Sequence, residues 1–278
     1  TVIKTNSNYN KAQVNVEVTN QAIAEYISKV THQITVMGGF ISSSESGEST
    51  TLGRGGSDYT AAIVAAAIDA KQLDIYTDVS GMFTANPKMV KQAKPIDNIS
   101  YEEAMERSHF GAKVLYPPTI QPVLNKEIPI VIKNTFKPED KGTTIAKNNS
   151  PENKSVQGIS HIDQIALLSL EGAGMVGIPG ISKRFFEVLS NAQISVVLIT
   201  QASSEHSICI GVNEKDADLA ASLVNDAFEF EISKGKIKQV TPEKEYSIVA
   251  LVGDNMKSHQ GLSGKMFSTL GKNNVNIV

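Results

Sequence analysis

The densest chemistry in the sequence lies in one stretch, TLGRGGSDYT at 51–60. Gly53, Gly55 and Gly56 let a ligand approach the main chain closely, and Arg54 offers a planar fork of donors to a phosphate or carboxylate. The alanine-rich SDYTAAIVAAAIDA that follows reads as a helix starting near Ser57, whose first turn presents free backbone N–H groups at the same place. Together these describe an anion site. The same letters also describe a glycine-rich surface turn with a solvated Arg54 and Asp58 as a first-turn charge, and both readings stand at this point. The loop is neither G-x-x-x-x-G-K-[ST] nor a dinucleotide fingerprint. Asp58, if it faces the anion, would orient reacting groups or magnesium, whereas unpaired it would repel a phosphate.

YTDVSGMFTANPK, 76–88, carries Asp78 after a strand and Lys88 after a turn. That suits a pocket reading a nucleotide's ribose or base and neutralising its phosphates, and equally an acidic turn at a sheet end. Phe83 and Tyr76 by themselves read as core residues. In FGAKVLYPPT, 110–119, Lys113 precedes a proline-stiffened turn, as a pre-organised cation or an ordinary helix-end charge. The five histidines are scattered without metal spacing, and no metal site is expected. Cys209, in the alternating strand SICIGV, reads as a small buried hydrophobe rather than a nucleophile.

These residues need elements to hold them. Gln21 to Val30 has helical spacing; ITVMGGF, 34–40, reads as a buried strand entering a glycine turn; and 42–56 reads as too polar to pack as a core element. LDIYTDVSGMF, 73–83, and IPIVIKNT, 128–135, read as further strands, with a helix over 99–113 opened by a Ser100–Glu103 capping box. This rhythm predicts an α/β domain with a mostly parallel sheet, closing near Ile145 within the polar, proline-containing boundary stretch 136–155. The whole is 278 residues with 41% hydrophobic content and a net charge of -3, which excludes disordered, collagen-like and strongly basic nucleic-acid-binding classes. One cysteine and no apolar run long enough to span a bilayer predict a cytoplasmic protein with no membrane partner.

The C-terminal part repeats itself. LEGAGMVGIPGISKRFFEVLSNAQISVV from Leu170 matches VGDNMKSHQGLSGKMFSTLGKNNVNIV from Val252 at an offset of 81, pairing Met175 with Met256, Gly180 with Gly261, Ser182 with Ser263, Phe186 with Phe267 and Leu189 with Leu270. The first copy reads as β-α-β-β-α-β, and the second stops early. Units of this kind leave a sheet face or edge to be paired, which predicts side-by-side association.

The motifs TLGRGGSDYTAA, YTDVSGMFTANP, ISYEEAMERSHFGAKVLYP and IPIVIKNTFKPEDKGTTI occur in an order that resembles aspartate kinases of the amino-acid kinase fold. SVQGISHIDQIALLSLEGAGMVGIPGISKRFFEVLSNAQISVVLITQASSEHSICIGV resembles the first regulatory ACT domain of bifunctional aspartokinase/homoserine dehydrogenases more than that of single-function aspartokinases. The resemblance implies the C-terminal portion of a three-layer αβα kinase domain at 1–147. It further implies a ferredoxin-like βαββαβ ACT domain at 156–244 and the start of a second at 245–278.

It also implies transfer of the γ-phosphoryl of MgATP to the β-carboxylate of L-aspartate, in threonine, methionine and lysine biosynthesis. By resemblance, Arg54 and Ser57 hold aspartate, Gly38 and Gly39 line the cleft, and Asp58 helps organise the reacting centre. Thr77, Asp78, Phe83, Lys88, Lys113 and Val114 fall on nucleotide positions. Gln201, with Met175 and Ile178, falls on the effector pocket, the effector being threonine, and the ACT domains imply a homodimer or higher oligomer. The family usually reads ADPR where this chain has Ala85, Asn86, Pro87 and Lys88, tyrosine at Phe83, and KVLHPR where it has Lys113 to Pro118. The family's K-F-G-G segment and the rest of the aspartate site do not occur in the sequence, so both ends read as cuts through larger domains and the chain by itself is expected to be inactive. The competing expectation is an amino-acid-binding, dimerising regulatory module with an inert catalytic lobe.

Overall fold

In the computed structural model of the chain, which describes residues 1–9, 12–109, 114–147, 155–201, 206–254 and 256–278, two units separate: 1–160 with 250–278, and 161–249. In the first, β1 (Lys4–Thr5) precedes α1 (Val16–Lys29), which starts five residues before the expected Gln21 because the Asn15 side chain accepts from the Val18 amide and caps it. β2 (Ile41–Ser44) pairs parallel with β1 and antiparallel with β3 (Ser49–Thr51).

Two expectations fail here for one reason. The segment 34–40 is not a strand, and Ile34 and Val36 are 80% and 91% exposed. It has no sheet partner among the described residues, and pairing passes instead to the polar stretch that follows it. Ser42, Ser43, Ser44 and Thr50 are buried there. Burial is tolerable where hydroxyls satisfy one another: Thr50 Oγ1 lies 2.6 Å from Thr5 Oγ1 and 2.9 Å from Ser42 Oγ.

The glycine loop leads into α2 (Gly56–Ala67), whose Ala62 and Ala65 join a core with Leu73, Ile75, Ile130 and Ile132. That core lies on a second sheet of order β4 (Leu73–Thr77), β6 (Ile130–Asn134), β7 (Thr143–Ile145), β5 (Asn98–Ile99), with β4/β6 and β5/β7 parallel and β6/β7 antiparallel. β4 stops at Thr77, short of the expected Phe83. Beyond it the Met82 amide donates to Thr143 Oγ1 (2.7 Å) and Ser80 Oγ accepts from the Asn134 side chain (2.9 Å), so side chains rather than a neighbouring strand satisfy the loop. Tyr76 is not a core residue: it is exposed, with Lys133 Nζ 5.7 Å from its ring centroid. α3 (Tyr101–His109) carries the capping box as expected, Ser100 Oγ accepting from the Glu103 amide at 3.0 Å and Glu103 Oε2 from the Ser100 amide at 3.4 Å. α4 (Ile120–Leu124) buries Ile120 and Val123.

In the second unit β8 (Gly158–Glu171), α5 (Ile181–Asn191), β9 (Val196–Gln201), β10 (Ser207–Asn213), α6 (Ala217–Ala227), the short α7 (Glu229–Ser233) and β11 (Glu243–Val252) follow in order. The sheet runs β11-β8-β10-β9, with β10 antiparallel to both β8 and β9. Ile181, Phe185 and Leu189, spaced by one helical turn, bury one face of α5 against Leu168, Leu170 and Ile210. Cys209 is half-buried rather than buried.

The repeat holds at the level of the backbone. α8 (Leu262–Lys272), assigned to the first unit, copies α5 at an offset of 81, and the left-handed caps Gly180 (φ 93°) and Gly261 (φ 83°) coincide. Positive φ recurs at Gln164 and Glu245 and at Gln193 and Asn274, each pair at the same offset, so β11 is also the counterpart of β8.

Candidate functional site

Gly55 adopts the left-handed region (φ 71°, ψ 11°), and a side chain there would overlap the Tyr116 ring. The turn sends the Gly56 and Tyr59 amides back to the Gly53 and Gly55 carbonyls, both at 3.1 Å, and leaves the Ser57 and Asp58 amides without a main-chain acceptor among the described residues. These are the donors an anion would use. Gly39 lies directly against this helix start: a Cβ on it would be 3.0 Å from Ser57 Cα and 3.3 Å from Ser57 Oγ. Phe40 (φ 73°) holds the approach, its amide donating to Thr60 Oγ1 at 3.0 Å.

Gly39 and Ser57 are thereby brought together. Arg54 and Ser57 are exposed, and Asp58 is half-buried, its carboxyl pushed above the usual range by that burial. A cavity of about 670 Å³ borders Gly38, Gly39 and Ser57 and is otherwise lined largely by apolar residues of α1 and α2 such as Ile23, Ile27 and Val64.

Thr77 ends β4 opposite Asn134 of β6, its carbonyl accepting from the Thr135 amide (2.8 Å) and its hydroxyl donating to Asp78 Oδ1 (3.2 Å). Asp78 and Lys88 are exposed. Phe83 is bridged to Pro95, and its carbonyl accepts from Arg107. Asn86 makes the turn before Lys88, its Oδ1 accepting from the Lys88 amide at 3.0 Å and its carbonyl from the Met89 and Val90 amides. The Asn86 side chain is thus engaged with the backbone of its own turn. Val114 packs half-buried on the α2 core, and Lys113 lies outside the described residues. Sequence reasoning missed Tyr116 as a support of the glycine loop; the only signal was its departure from histidine in the KVLHPR pattern.

In the second unit Met175, Ile178 and Gln201 line one cavity of about 280 Å³ together with Gly180 and Ser182, at the start of α5. The remainder of LITQASSEHS up to Glu205 lies outside the described residues.

The first unit therefore presents a phosphate- or carboxylate-ready helix start beside a strand-end loop, and the second a ligand-sized cavity in a βαββαβ module, an arrangement that places the chain in the class of amino-acid-kinase-like folds followed by ACT-type units. The family model of amino acid kinases matches residues 2–134, and an ACT domain model matches 168–228 and 249–278. A bifunctional aspartokinase/homoserine dehydrogenase of Haemophilus influenzae is 41% identical over 262 residues, 94% of this chain and 32% of that protein. Aspartokinase 2 of Bacillus subtilis is 33% identical over 280 residues, 99% of this chain and 66% of that protein. The crystal structure of Escherichia coli aspartokinase III in complex with aspartate and ADP superposes with a TM-score of 0.81 at 30% identity, over 98% of this chain and 60% of that one. The chain belongs to the aspartate kinase family, on an amino-acid kinase fold followed by ACT-type units. It spans about a third of the length of the bifunctional relatives it matches.

Proposed function

We propose that the complete protein to which this chain belongs transfers the γ-phosphoryl of ATP to the β-carboxylate of L-aspartate, giving 4-phospho-L-aspartate. The observation that supports this most is the close seat of Gly39 on Ser57, beside Arg54 and two unpartnered amides at the start of α2. In this reading the Arg54 fork and the Ser57 hydroxyl hold an aspartate carboxylate, and the Ser57 and Asp58 amides offset its charge. Asp58 orients the reacting groups, a role consistent with a half-buried carboxylate that a cationic partner would return to its ionised form. Thr77, Asp78, Phe83, Lys88, Lys113 and Val114 contact the nucleotide. Catalysis rests on alignment and charge compensation.

Magnesium enters with the nucleotide, whose phosphates supply most of its ligands in such sites. In this reading Asp58 and Asp78 are the carboxylates suited to the water shell of that ion. Threonine is the proposed effector, its carboxylate or amine meeting Gln201 and its methyl group meeting Met175 and Ile178. ACT units from two copies pair in a homodimer, which couples the effector to the kinase unit. A cytoplasmic setting belongs to the same reading; among the described residues no helix is long and apolar enough to cross a membrane. The test is hydroxylamine trapping with the complete protein: hydroxamate forms only when aspartate, ATP and magnesium are all present, and no product from folded protein refutes the proposal.

A further inference from the structure

Arg107, on α3, is 2% exposed and the largest fully covered side chain in the described structure. A guanidinium taken out of water is retained only where its surroundings compensate the charge. Its donor Nη2 points at the Phe83 carbonyl, and Glu103, one helical turn earlier, supplies the opposing charge. Nε and Nη1 have no hydrogen-bond partner among the described residues.

A Cβ on Gly158 would overlap both Arg107 Nη1 and the Thr84 carbonyl, so the slot for the guanidinium exists because residue 158 has no side chain. The Ile159 amide donates to that Thr84 carbonyl at 2.8 Å. Glu103 Oε1 accepts from the Asp254 amide, also at 2.8 Å. The two segments are themselves joined, the Gln157 amide donating to the Val252 carbonyl at 2.8 Å. Residues 157–160 and 250–254 are the points at which β8 leaves the first unit and β11 returns to it. A single turn of α3 therefore touches the Phe83–Thr84 loop and both roots of the connection.

We propose that Arg107 and Glu103 form a buried clasp that fixes the Phe83–Thr84 segment against the paired roots of β8 and β11. Arg107 is then a positioning residue for the nucleotide loop and the link through which changes in the ACT unit reach it. The nucleotide part rests on the function proposed above; the clasp itself does not. An aliphatic side chain would fill the volume more cheaply but could neither donate to the Phe83 carbonyl nor balance the charge of Glu103.

The test compares the complete protein with its Arg107→Met and Arg107→Lys variants by amide hydrogen exchange. Arg107→Met is expected to speed exchange at Thr84, Ile159 and Asp254 by at least about tenfold while amides of α2 stay within about twofold, with Arg107→Lys intermediate. Gly158→Ala, which displaces the same guanidinium, should reproduce the pattern if the Met variant fails to fold. Exchange unchanged at Ile159 and Asp254 in the folded variants overturns the clasp. In steady-state assays Arg107→Met should raise KM for ATP about tenfold, leave KM for aspartate within about twofold and blunt the effect of threonine; equal changes in both KM values overturn the positioning role. If the wild-type protein forms no acyl phosphate, the kinase reading fails while the exchange comparison still decides the clasp.

Discussion

Replacing Gly55 with alanine tests how the anion loop is built. The residue sits at φ 71°, where an L side chain costs about 1–2 kcal/mol, and the added methyl would drive into the Tyr116 ring, an overpacking cost of about 1–3 kcal/mol. Gly55→Ala should therefore destabilise the first unit by about 2–5 kcal/mol. In a Tyr116→Gly background, which removes the ring and also the Tyr116 Cβ that would lie 2.4 Å from the added methyl, the clash disappears and only the backbone share, about 1–2 kcal/mol, remains. The coupling between the two substitutions should accordingly be about 1–3 kcal/mol, far outside the scatter of independent sites. Urea titrations followed by far-UV circular dichroism and tyrosine fluorescence, in a chain without tryptophan, measure all four corners of this cycle. Additive substitutions, or a Gly55→Ala cost below about 1 kcal/mol, would refute the account of a left-handed turn resting on an aromatic ring.

Three further outcomes follow from the same geometry. Arg54→Lys keeps the charge but loses the fork, so KM for aspartate should rise about tenfold, and Arg54→Ala should raise it further, measured by coupled ADP release. Burial raises the Asp58 carboxyl pKa, so the native state binds its proton more tightly than the unfolded chain, and this group's contribution to stability is lost as pH rises through the native pKa. Asp58→Asn should therefore raise the thermal midpoint at pH 7, leave it unchanged below about pH 3, where the carboxyl is protonated in both states, and lower kcat at least about a hundredfold. Gln201→Ala should weaken threonine binding about tenfold by calorimetry, the value of roughly one buried hydrogen bond, without changing KM for either substrate when threonine is absent.

What could be read in advance was what the chain decides locally. The Ser100–Glu103 box needs only residues three apart, and the repeat, written in side-chain identities, reappears as matched positive φ at Gln164/Glu245, Gly180/Gly261 and Gln193/Asn274. The glycine loop and the start of α2 were equally local. Long-range pairings were hidden. Ile34 to Phe40 looks like a strand by hydrophobicity, but strand identity depends on a neighbour, and the neighbour pairs with residues 41–44 instead. Ser42 to Ser44 looked unburiable because the hydroxyl that completes the network, Thr5 Oγ1, lies far away in sequence. Tyr116 beneath Gly55 and the covered Arg107 were invisible for the same reason: a tyrosine in a proline turn and an arginine near a helix end carry no sign of what tertiary structure lays over them.

The central claim concerns which bond is made, and isotope transfer reads it directly. Aspartate labelled with ¹⁸O in both β-carboxylate oxygens is incubated with the complete protein, unlabelled ATP, magnesium and hydroxylamine. Phosphoryl transfer to the β-carboxylate makes a P–O bond to a labelled oxygen, and hydroxylamine then attacks the carbonyl carbon and expels that oxygen with the phosphate. Inorganic phosphate carrying one ¹⁸O, in amounts equal to the hydroxamate formed, is the predicted result; unlabelled phosphate, produced by water attack on ATP, would contradict the claim.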